Sequence, residues 1–247
     1  MEQSTKLGSN KTGIDMSPIH SKQMLEGIER FPLTDTDTFF ARQTLKQTLS
    51  EDAGSLGSIP LPATVKGVGK SILKTVTGHR PEMFINKLGE RLAYERSGVR
   101  VYEALILKCQ FMAANGMAEN EIDISRLKQF RNQEAEHMEL LVDILHTLGA
   151  DATAQTPDAD AIGVAASGLM KVVTDPRTTI AQCLEAMLTL ELADNAAWDL
   201  LIKLADDMGH SDMVEKFQTA LRQEDVHLLV VQQWHEKIVR SQASLIS

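Results

Sequence analysis

Hydrophobic residues recur every three or four positions through most of the chain after residue 80, which is the period of an amphipathic α-helix. Proline, aspartate and serine residues mark helix starts, and glycine residues mark helix ends. Together these signals predict four long helices, over residues 81–115, 124–148, from just after Pro176 to 209, and 211–241.

The lengths of the connections predict how these helices are arranged. Short connections join the first helix to the second and the third to the fourth, so each pair is expected to form an antiparallel hairpin. About 27 residues separate the second helix from the third, and the apolar segment 161–173 among them predicts a short crossover helix. We therefore predict an all-α four-helix bundle of two antiparallel hairpins joined by a long crossover.

Residues 1–78 have a different composition, rich in glycine, serine, threonine and lysine. We interpret them as an N-terminal arm, partly disordered or loosely helical, that precedes the bundle at 79–247. Short helices are expected at 35–49 and 64–76. The sequence GVGKS at 67–71 resembles the end of a phosphate-binding loop, but Thr64 stands where that motif requires glycine, so nucleotide binding is not expected.

Charged residues interrupt the apolar stripe of the second and fourth predicted helices. On a wheel of about 100° per residue, Glu134 and His137 fall among the apolar residues, whereas Glu136 points away. Glu224 and His227 repeat this spacing in the stripe of the fourth helix. Residues three apart are neighbours on a helix surface, so each Glu-x-x-His pair presents two ligands side by side.

The other two helices carry one buried glutamate each. Glu95 lies in the stripe of the first helix and Glu191 in that of the third. An aromatic residue follows each glutamate after seven positions, Tyr102 in the first case and Trp198 in the second. The chain therefore contains an internal repeat of helical hairpins.

A dinuclear metal site explains these residues together. Isolated buried carboxylates cost several kcal/mol each, whereas four glutamates and two neutral histidines carry a formal charge that two divalent cations cancel. A single Glu-x-x-His by chance, a hydrogen-bonded core histidine or a glutamate near solvent explains each residue separately but not the set. Oxygen and imidazole ligands suit Fe²⁺ or Mn²⁺, with Zn²⁺ also possible. The predicted ligands are Glu95, Glu134, His137, Glu191, Glu224 and His227.

The composition of the chain limits the classes of partner that we expect it to bind. A net charge of -9 makes nucleic acid and anionic membranes unexpected partners. No apolar run approaches a membrane span or a signal peptide. Cys109 and Cys183 lie in apolar helical surroundings outside any CxxC motif, which indicates buried thiols in a reducing compartment. We expect a cytoplasmic protein.

The six residues and their order resemble the ferritin-like superfamily, in particular rubrerythrin and bacterioferritin-type di-iron carboxylate domains. The resemblance covers about residues 82–240 and implies a ferritin-like bundle with two bound iron ions, or manganese. It also implies a role for each ligand: Glu134 and Glu224 bridge the two metals, Glu95 with His137 completes one, and Glu191 with His227 completes the other.

The resemblance implies a hydrogen bond from Tyr102 to a carboxylate ligand; core packing is the alternative for Tyr102 and, more strongly, for Trp198. Rubrerythrins also carry a cysteine-rich electron-transfer module, which is missing here, so a separate electron donor is expected.

The expected function is an oxidoreductase that binds Fe²⁺ and reacts with O₂ or H₂O₂, in iron oxidation or peroxide removal. The alternatives are a di-metal oxygenase or oxidase for an organic substrate, a metal-binding assembly protein without turnover, and a metal-free bundle. A small homo-oligomer, with a dimer favoured, is expected.

Overall fold

The computed structural model describes residues 26, 29–30, 38–53, 59, 81–116 and 122–244. Backbone contacts divide the chain into two units, Met1–Gly54 and Ser55–Ser247. The predicted helix at 64–76 and the GVGKS sequence lie outside the described residues. The predicted boundary between arm and bundle at residue 78 stays a prediction.

The described elements are all α-helices. In the first unit, α1 spans Thr38–Asp52, close to the helix predicted at 35–49. The described residues of the second unit form five helices: α2 (Pro81–Ala114), α3 (Ile124–Leu148), α4 (Pro157–Thr174), α5 (Ile180–Asp207) and α6 (Ser211–Ser244). No strand occurs among the described residues, so the all-α prediction is confirmed.

The ends of α3 lie where the sequence predicts them, because its capping residues are local. The Asp123 carboxylate accepts hydrogen bonds from the backbone N–H groups of Ser125 and Arg126, which satisfies two donors of the first turn. Gly149 ends the helix at φ 79°, a left-handed conformation that glycine adopts without steric cost.

The start of α5 differs from the prediction. The sequence indicated a helix directly after Pro176, but Asp175 instead binds the backbone N–H and the guanidinium of Arg177 in a turn. The helix begins at Ile180, after a capping box in which Thr179 and Gln182 exchange side-chain and backbone hydrogen bonds. The capping box of Thr179 and Gln182 therefore sets the start of α5.

Two apolar clusters form the core, one toward each end of the bundle. The first contains Tyr102, Phe130, Leu190 and Val231, and the second contains Leu92, Leu141, Trp198 and Phe217. Every long helix contributes to both clusters. Going along the chain, α2 and α6 pass from the second cluster to the first, whereas α3 and α5 pass from the first to the second. Each hairpin, α2–α3 and α5–α6, is therefore antiparallel.

The crossover helix α4 returns the chain from one end of the bundle to the other. Ala150 and Ala152, which precede α4, belong to the second cluster, whereas Val173 at its end belongs to the first. The helix packs against α2 and α5 on the way. None of the described helices has an apolar stretch long enough to cross a membrane.

Burial outside the site follows the helical wheel. Glu136 on α3 is exposed, as predicted, and Glu139 and His146 on the same helix are exposed too. Cys109 and Cys183 are buried, as their apolar surroundings indicated. The partly disordered N-terminal arm stays a prediction, although Ile59 is half-buried against the second apolar cluster.

Candidate metal centre

A layer of charged side chains lies midway along the bundle, between the two apolar clusters. On α2, Glu95 follows Leu92 of the second cluster and precedes Val101 of the first. The other three long helices place their charged residues in the same interval. The layer thus brings together all six residues predicted as ligands, each at most 3% exposed: Glu95, Glu134, His137, Glu191, Glu224 and His227.

His227 on α6 faces three of the glutamates. Its Nδ1 atom lies 3.0 Å from Oε2 of Glu224, one turn earlier on the same helix. It also lies 3.3 Å from Oε1 of Glu134 on α3 and 3.8 Å from Oε2 of Glu191 on α5. One histidine nitrogen and three carboxylates from three helices therefore converge on a single point.

His137 on α3 faces the other side of the layer. Its Nδ1 atom lies 2.7 Å from Oε1 of Glu224 and 3.7 Å from Oε2 of Glu95. Glu224 therefore contacts both histidines, one through each carboxylate oxygen. Such a carboxylate lies between two potential metal positions.

The second ring nitrogen of each histidine is held from the opposite hairpin. His137 Nε2 lies 2.7 Å from Oε1 of Gln223, and His227 Nε2 lies 2.9 Å from Oε1 of Gln133. An amide oxygen accepts but does not donate, so each Nε2 carries the proton that it donates. In the neutral imidazole, Nδ1 then keeps the lone pair that faces the carboxylates.

These atoms form overlapping groups that could hold a metal ion. One group contains Glu134, Glu191, Glu224 and His227, and a second contains Glu95, His137 and Glu224. The ligand atoms within each group lie within 4.8 Å of one another. The sequence-predicted residues are thus close enough to share two cations.

Two further charged residues belong to this layer, and the sequence did not single them out as ligands. Asp194 on α5 is fully buried and forms a third group with Glu95, Glu134 and Glu224. Arg91 on α2, 2% exposed, pairs with Asp194 at 2.9 Å and with Glu95 at 3.1 Å. On a helical wheel Asp194 falls at the edge of the apolar stripe of α5, and its position three residues after Glu191 is the signal that could have identified it.

Aromatic residues enclose the layer. Tyr102 donates its hydroxyl hydrogen bond to Oε1 of Glu191, the carboxylate on the neighbouring helix. Trp198 is completely buried and packs against Phe217 and His137. Tyr94 covers Arg91, whose guanidinium lies 4.4 Å from the ring centroid. These rings separate the charged layer from solvent.

Within the described part of the chain, many polar atoms of the layer have no hydrogen-bond partner. They include both carboxylate oxygens of Glu134 and one oxygen each of Glu95, Glu191 and Asp194. The other oxygens of Glu95 and Asp194 face Arg91, and Oε1 of Glu224 faces Nδ1 of His137. A buried acceptor without a partner loses its hydration without compensation, which costs about 1–3 kcal/mol for each group. Metal ligation would satisfy these atoms together.

Burial in the layer shifts several pKa values toward the protonated forms. Burial and the neighbouring carboxylates, Glu224 foremost, raise the pKa of Glu134 well above its usual range. Burial likewise raises the pKa values of Glu191 and Asp194. Burial opposes the charge of His137, but the nearby Glu224 and Glu95 carboxylates raise its pKa to about 10. A cation that enters must displace these protons.

The pKa of Glu224 shifts in the opposite direction. Burial alone would favour its neutral form, but its contacts with His137 and His227 keep its pKa below the usual range of glutamate. It is therefore the carboxylate that stays ionised between the two histidines.

Glu134 reaches the layer by packing against the backbone of α2 at Gly98. A Cβ atom added to Gly98 would lie 2.2 Å from Oε2 of Glu134. Gly98→Ala is therefore expected to displace Glu134 and to destabilise the protein by about 1–3 kcal/mol, despite the better helix propensity of alanine. Chemical unfolding of the metal-free protein measures this change.

Gly168→Ala on α4 is the matched control, since nothing lies within 4 Å of the added Cβ. That variant should gain up to about 1 kcal/mol from helix propensity. Equal effects at both glycines would contradict the close approach of Glu134.

Comparison with protein-family models, with curated proteins and with solved structures found no match to this chain.

Proposed function

We propose that the charged layer is a dinuclear metal centre that binds two Fe²⁺ ions and reacts with O₂ or H₂O₂. The observation that carries the proposal is the concentration of buried, unpartnered carboxylate oxygens around two histidine nitrogens.

The charge of the layer supports two divalent ions. Its five carboxylates and one guanidinium carry a formal charge of -4 when both histidines are neutral. Two divalent cations cancel this charge. The donors are oxygen and imidazole nitrogen, which suit Fe²⁺ and Mn²⁺ better than metals that prefer thiolate.

The arrangement of the helices favours a ferritin-like bundle. The helices α3 and α5 run in the same direction, so α4 must carry the chain back along the bundle. Two antiparallel hairpins with one long crossover, one glutamate on each of two helices and Glu-x-x-His on the other two are features of di-iron carboxylate proteins.

The bound iron would supply the electrons that reduce the oxidant, and the protein residues would position the ions. Glu134 and Glu224 reach both halves of the layer, so we assign them to the space between the metals. Glu95 with His137 serves one position, and Glu191 with His227 serves the other. Tyr102 orients Glu191 through its hydrogen bond, since such contacts fix ligand geometry.

The geometry favours small oxidants over a bulky organic substrate. Of two clefts formed by described residues, the one of about 250 Å³ is lined by residues that include Gly89, Arg96 and the segment 151–156, and none of its lining residues belongs to the layer. A cleft of only about 30 Å³ reaches Arg91. An oxygenase needs an apolar chamber beside its metals, so we rank that alternative second. A separate protein would serve as reductant.

The test combines metal analysis with rapid mixing. Metal-free protein loaded with two equivalents of Fe²⁺ without oxygen should oxidise the iron on mixing with O₂ or H₂O₂, followed by absorbance. Glu191→Gln should lose this reaction, whereas Glu185→Gln, an exposed site on the same helix, should keep it. Binding of metal without faster oxidant consumption would overturn the redox function but not the centre.

A further inference from the structure

The two hairpins are built from corresponding residues, so the positions at which they differ stand out. Glu95 of α2 corresponds to Glu191 of α5, each seven residues before an aromatic side chain. Among the buried residues of α2 and α5, two positions at the same spacing from these glutamates are charged in one half only. The unmatched pairs are Arg91 against Met187 and Gly98 against Asp194.

Both unmatched charges lie on the same side of the layer. Arg91 contacts Asp194 at 2.9 Å and Glu95 at 3.1 Å, and all three side chains are at most 2% exposed. The internal symmetry of the centre is therefore broken at Glu95.

The two corresponding glutamates are held by donors of different charge. Oε1 of Glu95 faces the guanidinium of Arg91, which stays positive at every physiological pH. Oε1 of Glu191 accepts instead from the neutral hydroxyl of Tyr102. A fixed positive charge competes with a cation for the carboxylate and repels that cation, whereas a neutral hydroxyl does not repel it.

The sets of converging ligands also differ. Four residues, Glu134, Glu191, Glu224 and His227, meet on the His227 side. On the other side His137 meets Glu95 and Glu224, and the remaining group, Glu95, Glu134, Asp194 and Glu224, contains no histidine. Among the described residues, the group that joins a histidine to three carboxylates is therefore the one that lacks Glu95, the partner of Arg91.

We propose that Arg91 weakens the metal position formed by Glu95 and His137, so that the position formed by Glu191 and His227 fills first. This inference rests on the proposed dinuclear centre. The protein then holds one ion at low metal concentration and completes the pair only at a higher one. Arg91 acts as a positioning residue, through Glu95.

Arg91 also lines a small cleft between α2 and α5, together with Lys87, Glu90, Ala197, Leu200 and Leu201. The same guanidinium contacts Glu95. Arg91 therefore lies between this cleft and Glu95.

The experiment titrates the full-length, metal-free protein with Mn²⁺ and measures free Mn²⁺ by electron paramagnetic resonance. Two equivalents should bind, with dissociation constants that differ by about tenfold or more. The double variant Arg91→Met with Asp194→Asn removes one charge of each sign and should bring the two constants together. Arg100→Met, at an exposed arginine of α2, should preserve their ratio.

Two histidine variants assign the steps and do not depend on the folding of the Arg91 variants. His227→Gln should weaken the first step, whereas His137→Gln should weaken the second alone. Equal constants in the unaltered protein, or an unchanged ratio in a folded double variant, would overturn the role of Arg91 and leave the dinuclear centre standing. Failure to bind any Mn²⁺ would instead overturn the proposed function.

Discussion

Glu134→Gln is expected to abolish binding of the metal pair while leaving the metal-free protein as stable as before. Glu134 lies in the group around His227 and also in the group of Glu95 and Asp194, so its loss affects both positions. We expect the affinity to fall by about 100-fold or more. At a metal concentration of 100 times the dissociation constant, binding stabilises the unaltered protein by about 2.7 kcal/mol. At the same metal concentration the variant should gain almost no stability.

The metal-free protein should tolerate this change for an electrostatic reason. Burial and the surrounding carboxylates raise the pKa of Glu134 and so favour its neutral form. Glutamine has nearly the same shape as the protonated acid. The free energy of unfolding without metal should therefore change by less than about 1 kcal/mol, or increase.

Calorimetric titration with metal measures the loss of affinity. Chemical unfolding with and without metal measures the stability of the variant in each state. Glu136→Gln is the matched control, two residues away on α3 and exposed. It should change neither quantity. Full metal affinity in Glu134→Gln would contradict the assignment of this carboxylate to the space between the metals.

The second large effect concerns pH. Metal affinity should rise by at least about tenfold per pH unit between about pH 6 and pH 8, because binding displaces protons from the layer. His137, whose pKa is raised to about 10, holds one such proton. The raised pKa values of Glu134 and Glu191 act in the same direction. Affinity should therefore fall steeply toward acid.

The stability of the metal-free protein should instead fall as the pH rises. A group whose pKa is higher in the folded than in the unfolded state contributes stability that is full at low pH and lost as pH rises. Glu134, Glu191 and Asp194 lose this contribution above their unfolded values, near pH 4, and His137 loses it from 6.5 to about 10. Glu224, with a lowered pKa, is already ionised throughout that range.

Metal titrations at a series of pH values measure how affinity depends on pH, and unfolding curves of the metal-free protein measure how its stability depends on pH. His137→Gln should reduce the pH dependence of metal affinity, whereas His146→Gln, at an exposed histidine of the same helix, should leave it unchanged. A pH-independent affinity would show that no proton leaves on binding and would contradict these ligands.

Helix positions and the central glutamate and histidine residues followed from local information. The period of apolar residues located α2, α3 and α6 to within a few residues, since caps such as Asp123 and Gly149 act within one turn. The start of α5 was misplaced because two local signals, at Asp175 and Thr179, competed. The wheel also separated buried Glu134 from exposed Glu136.

The sequence by itself determined which carboxylates and imidazoles face the core, because that depends only on helical period. Which atoms meet depended on how the hairpins pack. The contacts of Arg91 with Asp194, and of Gln133 and Gln223 with the histidines of the opposite hairpin, join residues about 90 to 100 positions apart. No local pattern encodes a distance between helices, so only the tertiary structure decided that these charges share one layer.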